Sequence, residues 1–428
     1  MNHIIEKFGG AVGNLALRKP ELAASILSRT YRVISWQAGN HPSEKRTASR
    51  EYLQGVTAGL MADLLRDPSE SAVVNIFMPC EIFHAMGIPA MVPEGLSAYL
   101  VCTACEQPLL ACAQECGASD TYCSYHRALL GAAESGMLKK PMIVASTTLA
   151  CDANQLTFAR LAQIWKVPRV QIDVPYDTGK DAVLYVEQQL RDMEKMLEEV
   201  SGRKMDPARL KEAVRRSCEA QRDFREYMRL RPAVHLPETF TPELLCDINQ
   251  HVYLGSAESL EFTRRLLSDV KNAPGIGSRK KIVWMHTLPN WQDSLMNIFQ
   301  GADNDRVEIV ASDIAFSGLT PMDPDRPYES MARRLVEDSF NGPGSRRIAA
   351  ALAVAQQMEA DGIVIFAQWG CRQTQGLAVE AKRVFEENGF PTLILDGDGA
   401  DRTNGGAGQI VTRADAFVEQ LEGAGDIA

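Results

Sequence analysis

The chain has 428 residues, 45% of them hydrophobic and 23% charged, with a formal net charge of −10. This composition excludes a disordered chain and predicts two or three globular domains. The acidic balance argues against tracking a phosphate backbone, so no nucleic-acid partner is expected. Ten cysteines are too few for a disulfide-stapled scaffold.

In chain order, MNHIIEKFGGAVGNLALRKPEL is broken early by Glu6, Lys7 and Arg18, so no signal-peptide core is expected. No run of about 18 uninterrupted apolar residues occurs, so no membrane association is expected. The C-terminal EGAGDIA carries no lipidation signal. A cytoplasmic location follows as an expectation. Thiols stay reduced there, and the cysteines are then metal ligands, catalytic groups or core fillers. Residues 1–70 read as an N-terminal helical region broken near Asn40–Pro42 and Asp67–Pro68. Residues 71–178 read as a first α/β domain, with strands in 71–79, 88–94, 139–147 and 168–175 and helices over 97–116 and 153–166. Residues 179–272 read as a helical hairpin with connecting helices: one helix stops at Gly202, and Asp206 with Pro207 starts the next. An irregular stretch over 230–244 leads to a helix near 257–271, and KNAPGIGSRK (271–280) reads as a linker. Residues 273–428 read as a second α/β domain, with strands in 281–289, 306–313, 362–370 and 391–399 and helices near 291–300, 327–339, 345–360, 373–388 and 411–422. The predicted fold is therefore α/β, with two Rossmann/flavodoxin-like domains on parallel sheets plus the helical hairpin insertion.

In open parallel sheets, ligands bind beyond the carboxyl ends of the strands. Three cysteines stand near such places: Cys371 in WGCRQTQG, Cys151 in STTLACDANQ, and Cys123 in DTYCSYHR ahead of a small-residue helix. Helix N-termini favour thiolate, and thiolate suits iron–sulfur clusters or zinc. On spacing alone the three read first as unrelated buried cysteines.

Longer stretches narrow the choice. PCEIFHAMGIPAMVPE, the CSY segment, LACDANQ followed by VPRVQIDVPYD, DPDRPYESMARRL, DGIVIFAQWGCRQTQG and PTLILDGDGADRTNGGAGQIVTRADAFVEQLE occur in this order between about Asn75 and Glu422. In these motifs the chain resembles the 2-hydroxyacyl-CoA dehydratase family, which includes the cluster-carrying subunits of ATP-dependent benzoyl-CoA reductase. The resemblance implies one [4Fe–4S] cluster per chain, held by Cys123, Cys151 and Cys371, with one iron lacking a protein ligand. It implies dehydration of a 2-hydroxyacyl-CoA through a ketyl radical after one-electron activation. It also implies three partners: the acyl-CoA substrate, a second homologous subunit, and an ATP-dependent activator iron–sulfur protein. Double-cubane relatives carry further cysteines in the region matching 311–340. Here that region reads ASDIAFSGLTPMDPDRP, without cysteine, which implies a single cubane.

Other residues are weaker candidates. By the same resemblance Glu94 is a base for proton transfer at the substrate, or else a carboxylate favouring its helix start. Cys80 could line the cluster pocket or add a ligand, and Glu81 could favour a helix N-terminus. His126 and Arg127, and likewise Arg372 and Gln373, could hydrogen-bond a cluster sulfur or a CoA phosphate, or be structural donors. Trp369 could shield the cluster or simply pack. Cys102, Cys105, Cys112 and Cys116 fall on one face of a continuous helix, which reads as packing, with a second metal or redox role as the alternative. Cys218 and Cys246 read as interior residues. DGDGADRTNGGAGQ (396–409) lacks a Walker lysine, so no ATP site is expected in this chain. The alternatives that stay open are an aromatic acyl-CoA reductase subunit, a non-catalytic electron-relay subunit, and a zinc protein built on the Cys102–Cys116 group.

Overall fold

The computed structural model describes residues 3–238, 240–289, 291–299, 305–404 and 407–423. Gly405 and Gly406 of the glycine-rich segment, residue 300 of the predicted helix 291–300, and residues 424–428 of the C-terminal reading lie outside them.

Eight strands form two all-parallel sheets. The first joins β1 (Ala72–Val74), β2 (Ala90–Met91), β3 (Ile143–Thr147) and β4 (Arg169–Ile172) in the order β2-β1-β3-β4. The second joins β5 (Lys280–Met285), β6 (Val307–Ser312), β7 (Gly362–Gln368) and β8 (Thr392–Gly397) in the order β6-β5-β7-β8. A parallel sheet is covered on both faces, so its strands read as continuous apolar runs. AVV, IVAST and GIVIFAQ are indeed buried at every position. Each of the eight sequence-predicted strands overlaps one observed strand, and the predicted α/β class with two parallel sheets holds.

Residues 3–66 form three helices, His3–Arg18, Pro20–Asn40 and Ala48–Arg66. The ends at Asn40 and Arg66 match the expected breaks; a further break at Lys19 was not expected, with Pro20 opening the second helix, and the Thr47 side chain caps the third. The two helices of the expected hairpin are present as Lys180–Ser201 and Pro207–Leu230, but each finds its main partner elsewhere. The first lies on the helix Pro327–Glu337 and the second on Ala257–Asn272.

The two sheets share one apolar core. Val74, Ile143 and Ala145 of the first belong to the same buried cluster as Val283, Met285, Ile363 and Ile365 of the second. A buried ion pair crosses the same region: Arg334 donates to both Glu81 oxygens, at 2.5 and 2.8 Å, and Ser217 Oγ donates to Glu81 at 2.8 Å. The carboxylate of Glu81 is therefore a structural tie between distant parts of the chain rather than a helix-start charge alone.

Two local departures matter below. The predicted helix 97–116 is two helices, Pro93–Cys102 and Glu106–Glu115, separated by Ala104 in the left-handed region at φ 57°. The stretch read as irregular, 230–244, ends inside the helix Phe240–Ile248, which continues into a π-helical turn, Asn249–Tyr253. Among the described residues no helix is long and apolar enough to cross a membrane.

Candidate functional site

Beyond the carboxyl ends of the strands lies a cavity of about 950 Å³. Residues from both sheets line it, and Cys123, Cys151 and Cys371 are among them. Each of the three cysteines is the N-cap residue of a helix: Ser124–Glu134, Asp152–Trp165 and Arg372–Glu387, respectively. Those positions leave the helices' first N–H groups and positive dipole ends facing the sulfurs. The chain turns sharply before two of them, with Ala150 at φ 68° and Gly370 at φ 78°.

Gly370 also explains how Cys371 reaches Cys123. A Cβ added there would stand 2.8 Å from both Cys123 N and Thr121 O. The turn after β7 thus lies directly on the backbone leading into Cys123, closer than any side chain permits. A second close approach is at Gly399, where a Cβ would fall 2.2 Å from the Tyr125 hydroxyl. The loop after β8 is tied to the same helix start. Ser124 Oγ donates to Asp398, which also accepts from Gln368 Nε2 at 3.1 Å and from the Ala400 and Asp401 amides at 3.0 and 2.9 Å. Arg127 turns away from the cavity and donates to Asp401 at 3.0 Å. The glycine-rich segment is therefore a latch on the Cys123 helix.

Burial pushes the Cys123 thiol well up, and the neighbouring Cys151 and Cys371 sulfurs push it further. Cys151 is raised by burial and by Cys371 in the same way. Among the described residues, no three His, Cys, Asp or Glu side chains converge as ligands of a single metal ion. The thiols instead stand around a shared volume. His126 places Nε2 3.8 Å from Cys151 Sγ, while its Nδ1 is buried without a partner. Burial lowers its pKa to about 4, so the imidazole is neutral near pH 7.

Several polar groups on the wall have no partner in the protein. Glu94 is half-buried, with a buried Oε2 that makes no hydrogen bond, and burial raises its pKa to about 7. Asn154 is fully buried with neither amide atom satisfied. Both ring nitrogens of His286 are likewise unpaired. His286 sits just past β5 at φ 78°, and burial lowers its pKa to about 3. Its backbone is held there by Asp313, which accepts from His286 N at 2.7 Å and from Arg347 Nε at 2.7 Å. A strained non-glycine residue pinned by a buried ion pair is a feature of working sites. Buried donors and acceptors without partners are costly and point to a ligand that satisfies them.

The other sequence candidates fall as follows. Arg372 is exposed and lines the cavity, and half-buried Gln373 lines it too, accepting from Arg347 at 3.2 Å. Cys80 is fully buried in the core and is not part of the lining, which removes the pocket-lining and ligand readings. Trp369 is 46% exposed and also outside the lining, so it does not shield the cavity. Cys102, Cys105, Cys112 and Cys116 do not share one helix face, because the chain breaks at Ala104. Only Cys105 of the four is fully buried, and Cys116 is exposed. Cys246 is buried, and Cys218 is half-buried, 3.3 Å from the Met322 carbonyl. Asn154 and His286 were missed as individual residues. Both lay within reach of the strand-end rule, His286 directly after β5 and Asn154 one helical turn past Cys151.

The chain was compared with known proteins. A family model described as 2-hydroxyglutaryl-CoA dehydratase, D-component, matches residues 75–421. The (R)-phenyllactyl-CoA dehydratase alpha subunit of Clostridium sporogenes is 24% identical, over 88% of this chain and 96% of the relative. The (R)-2-hydroxyglutaryl-CoA dehydratase subunit alpha of Acidaminococcus fermentans is 23% identical, over 66% of this chain and 61% of the relative. The (R)-phenyllactyl-CoA dehydratase beta subunit of Clostridium sporogenes is 24% identical, over 47% of this chain and 55% of the relative.

Proposed function

This chain belongs to the family of the 2-hydroxyglutaryl-CoA dehydratase D-component, and from that membership we propose that it is one subunit of an enzyme that removes water from a 2-hydroxyacyl-CoA. The observation that carries the reading is the meeting of Cys123, Cys151 and Cys371 on one cavity that also holds Glu94. On this reading the three cysteines hold one [4Fe–4S] cluster. Three features support the fit. Each sulfur stands at a helix N-terminus, which favours thiolate. Burial and mutual proximity oppose ionisation of Cys123 and Cys151 unless a cationic group joins them. His126 lies 3.8 Å from one sulfur, as a donor tuning a cluster would. When bound, such a cluster supplies single electrons and an iron position that no protein group occupies.

The chain's own residues then have definable tasks. The unpaired amide of Asn154 and ring nitrogens of His286 offer hydrogen bonds to the substrate's hydroxyl and thioester carbonyl. On this reading Glu94, whose pKa of about 7 suits the task, takes a proton from the carbon chain at Oε2 and gives it up again. The apolar wall keeps water from the thioester. The electron is proposed to come from a separate ATP-dependent activator protein and to make a ketyl radical of the thioester. Relatives named alpha and beta subunits support a second, homologous subunit as partner.

Anaerobically purified protein should contain about four iron and four sulfide per chain, and the triple Cys→Ser variant should contain neither. Equal metal content in the two would end the cluster reading. Redox stoichiometry separates the reductase alternative: a dehydratase uses electrons catalytically, whereas a reductase consumes two per product.

A further inference from the structure

The inner wall of the cavity carries information that the thiols do not use. Phe77, Val92, Ile314 and Phe340 line it and belong to the continuous apolar core of the molecule. The rings of Phe77 and Phe340 lie 5.3 Å apart, tilted by 45°. Ile76 and Ile248, also on the lining, pack against the same cluster. This is a contiguous aliphatic and aromatic surface rather than scattered apolar contacts.

The ionisable groups on the cavity wall are mostly acids, of which Glu94 and Asp247 have pKa values raised by burial while Asp152 and Asp173 are exposed. Glu94, Asp152, Asp173 and Asp247 line it, and Asp247 Oδ2 is buried without a partner. Among the described lining residues the one arginine or lysine is Arg372, exposed at the start of its helix. Arg347 lies behind the wall, committed to Asp313 at 2.7 Å and Thr374 at 2.9 Å.

A carboxylate brought to this wall loses its water and finds acids nearby, while the one cation stands exposed at a helix start. Burying an unpaired charge is among the costliest events in a protein interior. An alkyl or phenyl group gains from the same wall. Asn154 and His286 can satisfy the hydroxyl and carbonyl oxygens, which are common to every 2-hydroxyacyl thioester. Selectivity among them then falls to whatever follows the α-carbon.

Resting on the reading of this cavity as a 2-hydroxyacyl-CoA site, we propose that it accepts an uncharged apolar acyl chain, aromatic or branched aliphatic, and rejects a chain that ends in a carboxylate.

The test compares three probes that share the CoA moiety, so that their affinity ratios isolate the acyl group. They are 3-phenyllactyl-CoA, 2-hydroxyisocaproyl-CoA and 2-hydroxyglutaryl-CoA. Binding is measured by competition on anaerobically purified protein, with any subunit that accompanies it and without an electron donor, so that no turnover occurs. At least one of the first two should bind tenfold or more tighter than 2-hydroxyglutaryl-CoA. Equal or tighter binding of 2-hydroxyglutaryl-CoA would overturn the inference and leave the dehydratase reading standing. Binding of none of the three would overturn both.

Discussion

The contact between Gly370 and the Cys123 backbone gives the most direct test of how the site is assembled. In Gly370→Ala, the new Cβ would face Cys123 N and Thr121 O at 2.8 Å and the Tyr122 carbonyl carbon at 2.9 Å. All three are backbone atoms, so no side chain can rotate away. The residue also holds φ 78°, which costs a residue bearing a Cβ about 1–2 kcal/mol. Forcing atoms into a filled space adds about 1–3 kcal/mol. Together these predict a loss of about 2–5 kcal/mol, or a shift of the β7 turn away from Cys123 that relieves part of it. Either way Cys371 and Cys123 separate, and metal retention falls. The control is Gly376→Ala, six residues on in the helix Arg372–Glu387, where an added Cβ meets nothing within 4 Å. Alanine there should be neutral or stabilising by about 0.5–1 kcal/mol. Urea unfolding of both variants, with iron content measured on the same samples, separates the cases. If Gly370→Ala matches Gly376→Ala in midpoint and iron, the inter-domain contact does not set the site.

Glu94→Gln should retain iron but lose about 10²–10⁴-fold in turnover, together with the titration near pH 7 in the rate profile; unchanged turnover would remove Glu94 from the proton path. Cys80→Ala should keep full iron and activity, because Cys80 is in the core and outside the cavity lining, at a cost of about 1 kcal/mol, whereas Cys123→Ser should lose the metal. Arg334→Ala leaves the buried Glu81 carboxylate without its cation and should cost about 3–5 kcal/mol in chemical denaturation. Burial raises Glu243 from 4.5 to about 7, so the folded state binds its proton more tightly than the unfolded state does. Its contribution is complete below pH 4.5 and is lost as pH rises through about 7. Glu243→Gln should abolish that part of the pH dependence, on the order of 3 kcal/mol; an unchanged slope between pH 4.5 and 7 would show that another group dominates.

The strands were legible because parallel sheets bury both faces, which leaves continuous apolar runs such as GIVIFAQ. The helix starts at Cys151 and Cys371 followed from where those runs end, and the one at Cys123 from the polar DTYCSYHR segment ahead of a small-residue helix. The break inside 97–116 was signalled only by Pro108, which cannot sit in a helix interior and stands in the first turn of Glu106–Glu115; no glycine or asparagine marks Ala104, which holds φ 57°. What covers each helix of the expected hairpin was not legible, because an amphipathic pattern shows that a helix buries one face but not its partner. Glu94 was visible at the end of a strand, and the resemblance suggested its role. The latch formed by Asp398 on Ser124 joins residues 274 apart, and no local pattern encodes such a pairing.

The arrangement of the thiols constrains how a metal centre could be built here. Cys123 and Cys151 come from the half of the chain that holds the first sheet, and Cys371 from the half that holds the second. They share a cavity only because the two sheets are welded through a common core and the Glu81–Arg334 pair. In the metal-free protein, burial and the adjacent sulfurs keep the Cys123 and Cys151 thiols protonated. Binding a cluster therefore releases protons, and metal retention weakens as pH falls. The same crowding that opposes three bare thiolates rewards any cationic group that neutralises them together. The energy of ligation is thereby added to the packing of one half of the chain against the other, and weakening either contact in the weld also weakens the grip on the metal.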